Sequence, residues 1–357
     1  MSYQRDYAIR LRVGVVGLGS HCYRNILPAL HHLPVELVAM CDIDEAVLER
    51  TAREYGVTQT FTESSRMYAE TELDAVLIIV SPKKHPELAI EAMSHGVNVW
   101  MEKPPAMRLL EIDRMIDARG DLVCAVGFKK AYMPSTRKAF QLLSQPEFGA
   151  LRSIMALYPM SIPRDGQAVL DSGNFINWLA NGCHPLSLIV SLGGPVESVT
   201  TLRGPGEDPV GTVFLQFENG AIGNFHLAGG SPRAQAMERY EIFGQGKSIT
   251  IDNSDKVSYN RGMDFNYAHT KDFTGADNDT GSVVWEVSHT LATLENKGIF
   301  IQGIYNELMD FCSAILEKKP LELTSLEFAR QVMGVYEAAL LSEGNSVTLR
   351  SLEVPIA

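Results

Sequence analysis

The sequence predicts an α/β domain with a doubly wound parallel sheet, followed by an α+β domain with a mainly antiparallel sheet. The chain has 357 residues, of which 45% are apolar, enough for two hydrophobic cores. Up to about residue 128, short β-branched runs alternate with amphipathic segments. Beyond it, strand-like runs follow one another closely with turn residues between them. We therefore place the domains at residues 1–128 and 129–357.

Strands of the first domain are predicted where runs are nearly continuous in apolar residues, as in parallel strands covered on both faces. These runs are residues 13–16, 35–41, 75–80, 97–101 and 122–126. Between them, Asp44 stands at the N-cap of a helix through Arg53, and Gly96 follows a helix over 86–95 as a left-handed cap. Because parallel strands need crossover connections, this alternation predicts a parallel sheet.

Elements of the second domain follow a different pattern. Helices are predicted at about 135–143, 174–192, 304–316 and 325–343, the last expected to pack back toward the first domain. Strands are predicted at 151–159, 196–202, 212–217, 222–227, 240–243 and 248–251. Glu218-Asn219-Gly220 marks a hairpin, since Asn-Gly supplies the positive φ angles of a tight turn. Polar, glycine-containing residues 262–281 are predicted to be loop.

Charge and composition exclude several classes of protein. There are 31 Lys and Arg against 43 Asp and Glu, a net charge of -12 without a basic run, which argues against nucleic-acid binding. Apolar runs are far shorter than the roughly 20 residues that cross a bilayer, and polar residues 1–12 do not resemble a signal peptide. Five scattered cysteines argue against a disulfide framework and a zinc site. We expect a cytoplasmic protein without a metal or a membrane partner.

A dinucleotide-binding motif, Gly17-x-Gly19-x-x-Cys22, follows the first predicted strand and precedes a helical segment. The first glycine permits a tight turn, the second lets the backbone approach a pyrophosphate, and the helix start at Ser20 and His21 offers N–H groups to the phosphates. Cys22 replaces the usual third Gly or Ala, and its small side chain is compatible with close helix packing. The alternative is a strand-to-helix turn without a ligand.

Asp42 ends the second predicted strand and indicates the cofactor. A carboxylate there accepts hydrogen bonds from the adenosine ribose hydroxyls and repels a 2′-phosphate, so NAD is favoured over NADP. The alternative is that Asp42 only caps the next helix, a role for which Asp44 is better placed.

Beyond this motif, the chain resembles the Gfo/Idh/MocA family, named for glucose-fructose oxidoreductase, inositol dehydrogenase and a rhizopine catabolism protein. The likeness spans nearly the whole chain. It is carried by VGVVGLG at 13–19, Ser81-Pro82 with His85, Glu102-Lys103-Pro104, Gly127-Phe128, Gly182-Cys183-His184, FENGAI at 217–222 and residues 323–347. The resemblance implies a nicotinamide-binding Rossmann domain and a second domain with an open, mainly antiparallel sheet. That sheet supports the substrate pocket and often the oligomer interface.

The resemblance also assigns roles around the cofactor. Lys103 is implied to hydrogen-bond the reacting oxygen and stabilise negative charge there, the alternative being a surface lysine. Glu102 is implied to lie near the nicotinamide ribose. Ser81 and Pro82 would pass under the nicotinamide side of the cofactor, with His85 nearby.

His184 is implied to assist proton transfer, by likeness to a family pattern Asp-x-Gly-x-His-x-x-Asp. Here Ala180 and Ser187 stand at the two aspartate positions, so His184 would act without its usual carboxylate. The alternative is a satisfied core histidine. Asn177 and Asn181 are nearby candidates to bind a substrate hydroxyl, or serve only the helix.

Further substrate candidates are weaker. After Gly127-Phe128 the family commonly has Asn-Arg-Arg and an aromatic residue, whereas this chain has Lys129-Lys130-Ala131-Tyr132. Lys129 and Tyr132 are candidates to face substrate, the alternative being solvated lysines on a helix. Arg164, Trp178 and Tyr158 are candidates to line a sugar pocket, with packing or solvent exposure as the alternative.

The expected function is that of an NAD-dependent dehydrogenase acting on a secondary hydroxyl of a sugar, glycoside, cyclitol or sugar acid. Lys103 would polarise the oxygen and His184 would accept the proton. Two alternatives stay open: a non-catalytic NAD-binding sensor, and a sugar–sugar oxidoreductase that retains its cofactor. Because an open sheet leaves a broad face to cover, we expect a homo-oligomer, dimer or tetramer.

Overall fold

The computed structural model describes residues 6–207, 209–232, 238–253, 255–263, 265–269, 280–288, 297–321 and 323–352. The chain forms two compact units. Unit 1 comprises Met1–Tyr132 and Glu295–Met333, and unit 2 comprises Met133–Leu294 and Gly334–Ala357. A single boundary at residue 128 thus does not describe the division, since the chain returns to unit 1 after leaving it.

Fifteen strands are found among the described residues. They are β1 (Leu11–Val16), β2 (Val35–Cys41), β3 (Gln59–Phe61), β4 (Ala75–Ile78), β5 (Asn98–Glu102), β6 (Cys124–Gly127), β7 (Ser153–Tyr158), β8 (Val196–Arg203), β9 (Gly211–Phe217), β10 (Ile222–Leu227), β11 (Arg239–Phe243), β12 (Ser248–Asp252), β13 (Lys256–Asn260), β14 (Ser282–Glu286) and β15 (Val347–Thr348).

Twelve α-helices are found in the same described residues. They are α1 (Leu27–Leu30), α2 (Glu45–Tyr55), α3 (Ser64–Glu70), α4 (His85–Ser94), α5 (Leu109–Arg119), α6 (Pro134–Leu143), α7 (Gly166–Ser172), α8 (Asn177–Ala180), α9 (Cys183–Gly193), α10 (Lys297–Ile301), α11 (Ile304–Leu316) and α12 (Leu326–Leu341). A π-helical turn covers Cys22–Ile26, and 3₁₀ turns cover Lys129–Tyr132, Pro146–Phe148 and Leu349–Leu352.

Unit 1 is built on a six-stranded sheet in the order β3-β2-β1-β4-β5-β6, with every neighbouring pair parallel. The predicted doubly wound parallel sheet is confirmed. The order reverses between β1 and β4, and in such sheets ligands bind outside the carboxyl ends of the strands at this point. The short edge strand β3 was not predicted because Gln59 and Thr60 are exposed and form no apolar run.

The core of unit 1 joins β1 to helices from both parts of the chain. Val13 and Val15 of β1 are almost completely buried, and Leu27 of α1 belongs to the same cluster. Leu308 and Phe311 of α11 complete it, each about 1% exposed. Burying side chains of this size contributes roughly 1.5–3 kcal/mol each, which holds α11 in unit 1.

Unit 2 is built on a nine-stranded sheet in the order β14-β13-β12-β11-β7-β10-β9-β8-β15. All pairs are antiparallel except β7 with β10, so the predicted mainly antiparallel sheet is confirmed. The predicted hairpin joins β9 to β10, with φ +84° at Gly220. Strands β13 and β14 were not predicted. The loop predicted at 262–281 lies partly outside the described residues, and its described part contains no strand or helix.

The long helix predicted over 174–192 is wrong in one respect, because the structure divides it into α8 and α9. Pro185 has no backbone N–H, so the carbonyl of Asn181 lacks its ordinary helical donor. The N–H of His184 donates to that carbonyl instead, at 3.1 Å. The turn at Asn181 and Gly182 is therefore tighter than in an α-helix. His184 follows this turn as the second residue of α9.

Candidate functional site

The turn after β1 has the shape that the phosphates of a dinucleotide require. Gly17 has φ +90°, and a Cβ atom there would lie 2.3 Å from the backbone oxygen of Ile79. At Gly19 a Cβ atom would point into space where no described atom lies within 4 Å. The helix begins at Ser20, and the first N–H groups of a helix have no partner within it. This space and these donors fit an anionic pyrophosphate, with His21 exposed beside them.

Cys22 is fully buried in the core of unit 1, so its side chain meets the packing requirement of the third motif position. Burial raises the pKa of its thiol, and the side chain stays neutral. The helix departs from α geometry here, because the N–H of Leu27 donates to the carbonyl of Cys22 across a π turn. Pro28 cannot donate to the carbonyl of Arg24, which favours such an irregular turn.

Asp42 links the glycine turn to the next helix. One carboxylate oxygen accepts a 2.6 Å hydrogen bond from the Leu18 N–H, and the other accepts one of 2.9 Å from the Asp44 N–H. Asp44 caps α2 by accepting from the N–H groups of Ala46 and Val47, as predicted. Asp42 is therefore not the cap of α2, and its half-exposed carboxylate keeps lone pairs for a ribose.

Glu102 connects the glycine turn to Lys103. Its Oε1 lies 2.7 Å from His21 Nε2, and its Oε2 accepts a 2.9 Å hydrogen bond from the backbone N–H of Lys103. Asn25 Nδ2 lies 3.2 Å from His21 Nδ1 and donates a hydrogen bond to it. Because Nδ1 is then the acceptor, the ring proton is on Nε2, which donates to Glu102. Lys103 is half-buried at the carboxyl end of β5. The cofactor motif and Lys103 thus share one edge of the sheet.

His85 is buried beneath this edge, at the start of α4. Its Nδ1 donates a 2.8 Å hydrogen bond to the carbonyl of Pro104. Burial lowers the pKa of its imidazole to about 4, so the ring is neutral at ordinary pH. His85 thereby ties α4 to the segment that follows Lys103, and at 1% exposure it is a support for that segment. Ser81 is exposed beyond β4, and Pro82 is buried beside it.

The lysines after β6 are not solvated helix residues. Lys130 is 8% exposed, and Lys129 is half-buried in a 3₁₀ turn with its Nζ 2.6 Å from Gln302 Oε1. Burial lowers the pKa of Lys129. Tyr132 is fully buried, and its hydroxyl donates a 2.5 Å hydrogen bond to Asp310 of α11. These contacts give Tyr132 a structural role in unit 1.

Sequence reasoning missed Glu307, a residue of α11 that is 2% exposed. Burial, and then the negative charge of Glu102, raise the pKa of its carboxyl group well above the ordinary value, and Lys129 and Lys103 act in the opposite direction. Glu307 therefore belongs to the charged group at the ends of β5 and β6. The only signal for it was an acidic residue at a position of α11 that faces inward.

In unit 2, the segment from α8 to α9 carries the catalytic candidate His184 and three of the predicted substrate residues. His184 is half-buried at the start of α9. Asn177 and Asn181 are exposed, and Asn181 Nδ2 donates a 2.5 Å hydrogen bond to Asn177 Oδ1. Trp178 is instead buried against Phe225, with its Nε1 3.4 Å from the carbonyl of Tyr336. Its environment is that of a core residue, in agreement with the packing alternative for Trp178.

Arg164 and Tyr158 have local roles in unit 2. The guanidinium of Arg164 donates to the carbonyls of Gly204 and Gly206, at 2.5 and 2.9 Å, and so closes a loop on the surface. Burial raises the pKa of Tyr158 to about 12, so its hydroxyl stays protonated.

Comparison with known proteins identifies the architecture. A model described as an oxidoreductase family with an NAD-binding Rossmann fold matches residues 11–128, and one for the GFO/IDH/MocA C-terminal domain matches residues 136–250. The chain belongs to the GFO/IDH/MocA family. It is thus an NAD-binding oxidoreductase, and unit 1 carries the Rossmann domain that binds the cofactor.

Among similar proteins of this family are two inositol dehydrogenases. The chain is 25% identical to myo-inositol 2-dehydrogenase of Thermotoga maritima, over 68% of this chain and 75% of that protein. It is 24% identical to scyllo-inositol 2-dehydrogenase (NAD(+)) of Bacillus subtilis, over 68% of this chain and 74% of that protein. A dehydrogenase structure from Chromobacterium violaceum superposes with a TM-score of 0.78 at 24% identity, covering 92% of this chain and 94% of the other.

In the part of the chain that the structure describes, no helix combines the length and the apolar character that a membrane span requires.

Proposed function

We propose that this protein is an NAD-dependent dehydrogenase that transfers a hydride between a secondary hydroxyl of a sugar, glycoside, cyclitol or sugar acid and the nicotinamide. The observation that carries the proposal is the pair of contacts made by Glu102, at 2.7 Å to His21 and 2.9 Å to the Lys103 N–H. They hold Lys103 at the edge of the sheet that carries the glycine turn. A lysine there suits hydride chemistry, because its side chain donates to an oxygen on which negative charge develops.

The bound cofactor supplies the hydride acceptor, and the chain supplies the groups that manage the proton. We assign Lys103 to hold and polarise the reacting oxygen. We assign His184 to accept the hydroxyl proton as general base, because an imidazole titrates near neutral pH. Ala180 and Ser187 cannot orient this imidazole as a carboxylate does. His184 therefore acts without a carboxylate at either of those positions.

The cofactor preference rests on Asp42. Its carboxylate is half-exposed and already accepts two backbone hydrogen bonds, so its position is fixed. A fixed negative charge at the end of β2 repels the 2′-phosphate of NADP and accepts from the free ribose hydroxyls of NAD. We infer a preference for NAD.

A polyhydroxylated substrate is supported by the similarity to inositol dehydrogenases and by the polar side chains of unit 2. Asn177 and Asn181 are exposed and carry both donors and acceptors, which suit hydroxyl groups.

A homo-oligomer is supported by the outward face of the unit 2 sheet. Met155, Phe214 and Ile222 lie on adjacent strands and are 52%, 40% and 62% exposed. They line one groove of about 610 Å³. Exposed apolar side chains that are grouped and rimmed by polar residues mark protein–protein interaction sites, so we infer that a second copy covers these three. Light scattering that reports a monomer would refute this inference.

The deciding experiment is an assay of the purified protein with NAD and with NADP against polyols, aldoses, glycosides and sugar acids. We expect absorbance of reduced nicotinamide with NAD on at least one of these substrates. His184→Ala should then lower kcat about 100-fold while leaving the Kd for NAD unchanged. Saturable NAD binding without turnover across the panel would contradict the dehydrogenase.

The absence of a carboxylate at Ala180 favours a second candidate, a sensor that binds NAD without turnover. Retention of Lys103 argues against it. A sugar–sugar oxidoreductase is the remaining alternative, and NAD that survives extensive dialysis would indicate it.

A further inference from the structure

Glu307 lies on the face of α11 that meets the carboxyl ends of the unit 1 strands. On the same helix, Asn306 Nδ2 donates to the carbonyl of Tyr132 at 3.0 Å, and Asp310 accepts from the Tyr132 hydroxyl at 2.5 Å. Glu307 is three residues before Asp310, so the two lie on the same side of the helix. The helix also contacts β5 and β6. Glu307 is thus directed at the end of the sheet where Lys103 lies.

The carboxyl group of Glu307 is buried, and no hydrogen bond among the described residues replaces the water that it loses. Its side chain is 2% exposed, and neither oxygen has a hydrogen-bond partner among the described residues. An ionised carboxylate in this position is strongly disfavoured, because it has lost its water and gained no donor. A neutral carboxylic acid costs far less. A leucine of similar size would cost less again, so this carboxyl group lowers the stability of the fold.

The charged groups around Glu307 come from three elements. The end of β5 contributes Glu102 and Lys103, the 3₁₀ turn contributes Lys129, and α11 itself contributes Asp310, which is bonded to Tyr132. When Glu307 is protonated, the charged groups at the strand ends are two positive lysines, Lys103 and Lys129, and one negative carboxylate, Glu102. Any further positive charge brought to this edge favours the carboxylate form of Glu307.

We propose that Glu307 sets the protein's preference between oxidised and reduced cofactor. Its carboxyl group holds a proton in the ligand-free protein and releases it to solvent when the positively charged nicotinamide ring of NAD⁺ binds. The O–H bond of the carboxyl group breaks, the proton passes to the buffer, and the carboxylate stays as a counter-charge. NADH has an uncharged ring and binds without this release. Glu307 is a positioning residue that acts through charge, and the inference rests on the proposed function.

Calorimetric titration tests this proposal directly. NAD⁺ and NADH are titrated at pH 7 in two buffers of different ionisation enthalpy, which yields the number of protons released. We expect the wild-type protein to release more protons with NAD⁺ than Glu307→Gln does, and both to behave alike with NADH. The Kd for NAD⁺ should rise at least about fivefold in Glu307→Gln, with less than a twofold change for NADH. Glu317→Gln, an exposed carboxylate at the end of the same helix, should match the wild type.

A second measurement needs no cofactor. A carboxyl group whose pKa is raised by folding stabilises the protein fully below its unfolded pKa and loses that contribution as pH rises through the folded pKa. Glu307→Gln should therefore raise the Tm, and by more at pH 8 than at pH 5. A merely structural role would lower the Tm instead.

The outcomes separate the two proposals. Equal proton release by wild type and Glu307→Gln with NAD⁺ overturns this inference and leaves the dehydrogenase intact. A lowered Tm or loss of folding in Glu307→Gln also overturns it. Failure of the wild-type protein to bind NAD⁺ overturns both.

Discussion

The carboxyl edge of the unit 1 sheet and helices α8 and α9 of unit 2 differ in how their polar side chains are held. At the edge of the sheet, Asp42 and Glu102 each accept hydrogen bonds at both carboxylate oxygens, and one bond of each joins segments far apart in sequence, to Leu18 and to His21. At the two ends of α8, Asn177 and Asn181, the residue that follows the helix, hydrogen-bond to each other and are exposed. The edge of the unit 1 sheet is thus held by its own hydrogen bonds before any ligand binds, whereas the two asparagine side chains of unit 2 are exposed to solvent. We infer that substrate choice is decided by unit 2.

The largest expected effect on activity is at Lys103, on the unit 1 side of this comparison. Lys103→Met should lower kcat about 1,000-fold, since it removes the charged donor to the reacting oxygen and keeps the side chain's length. The Kd for NAD, measured by fluorescence titration, should change little. Lys84→Met is the matched control, because Lys84 is exposed and paired with Glu87. Loss of NAD binding together with activity would mean that Lys103 holds the cofactor instead.

The glycine turn tests how strongly local geometry in unit 1 affects the free energy of unfolding. Gly17→Ala should reduce the free energy of unfolding by about 3 kcal/mol, because φ is +90° and the new Cβ would lie 2.3 Å from the Ile79 oxygen. Gly19→Ala should leave stability nearly unchanged and weaken NAD binding, since its Cβ enters only open space. Urea unfolding and NAD titration of the two variants measure both quantities. Similar stabilities for the two would contradict the geometry of the turn.

The pH dependence of stability probes the buried support of this edge. His85 has a pKa lowered to about 4 by burial, while the unfolded chain titrates near the ordinary value of 6.5. Its contribution is therefore present above about pH 6.5 and is lost as pH falls toward 4, by roughly 3 kcal/mol in total. His85→Asn should lose correspondingly less stability over that range. Parallel pH profiles of unfolding for the two proteins would show that His85 is charged when folded.

The smallest effect concerns the cofactor's ribose. Asp42→Ser should narrow the preference for NAD over NADP by about tenfold, since it removes the charge that repels a 2′-phosphate. Kd values for both cofactors check this. Asp44→Ser is the control, because serine also caps a helix and Asp44 serves α2 alone. An unchanged preference in Asp42→Ser would confine Asp42 to tying down the turn.

Local rules predicted the elements that depend on neighbouring residues. The apolar run of β2, the alternating pattern of β10 and the cap at Asp44 follow from side-chain size, periodicity and capping chemistry within a few residues. Strand β3 was not predicted, because an exposed edge strand needs no apolar run. Apolar periodicity predicts one helix over α8 and α9, because it does not register that Pro185 leaves the carbonyl of Asn181 without its helical donor.

The sequence by itself determined the parallel and antiparallel sheets and the glycine turn, since each depends on residue types close together in the chain. Only the tertiary structure decided which distant groups meet. Glu102 meets His21 across 81 positions, Lys129 meets Gln302 across 173, and Glu307 is brought from α11 to the end of β5. Such meetings depend on how the core packs, because burial and low dielectric, not spacing along the chain, set the charge of these groups.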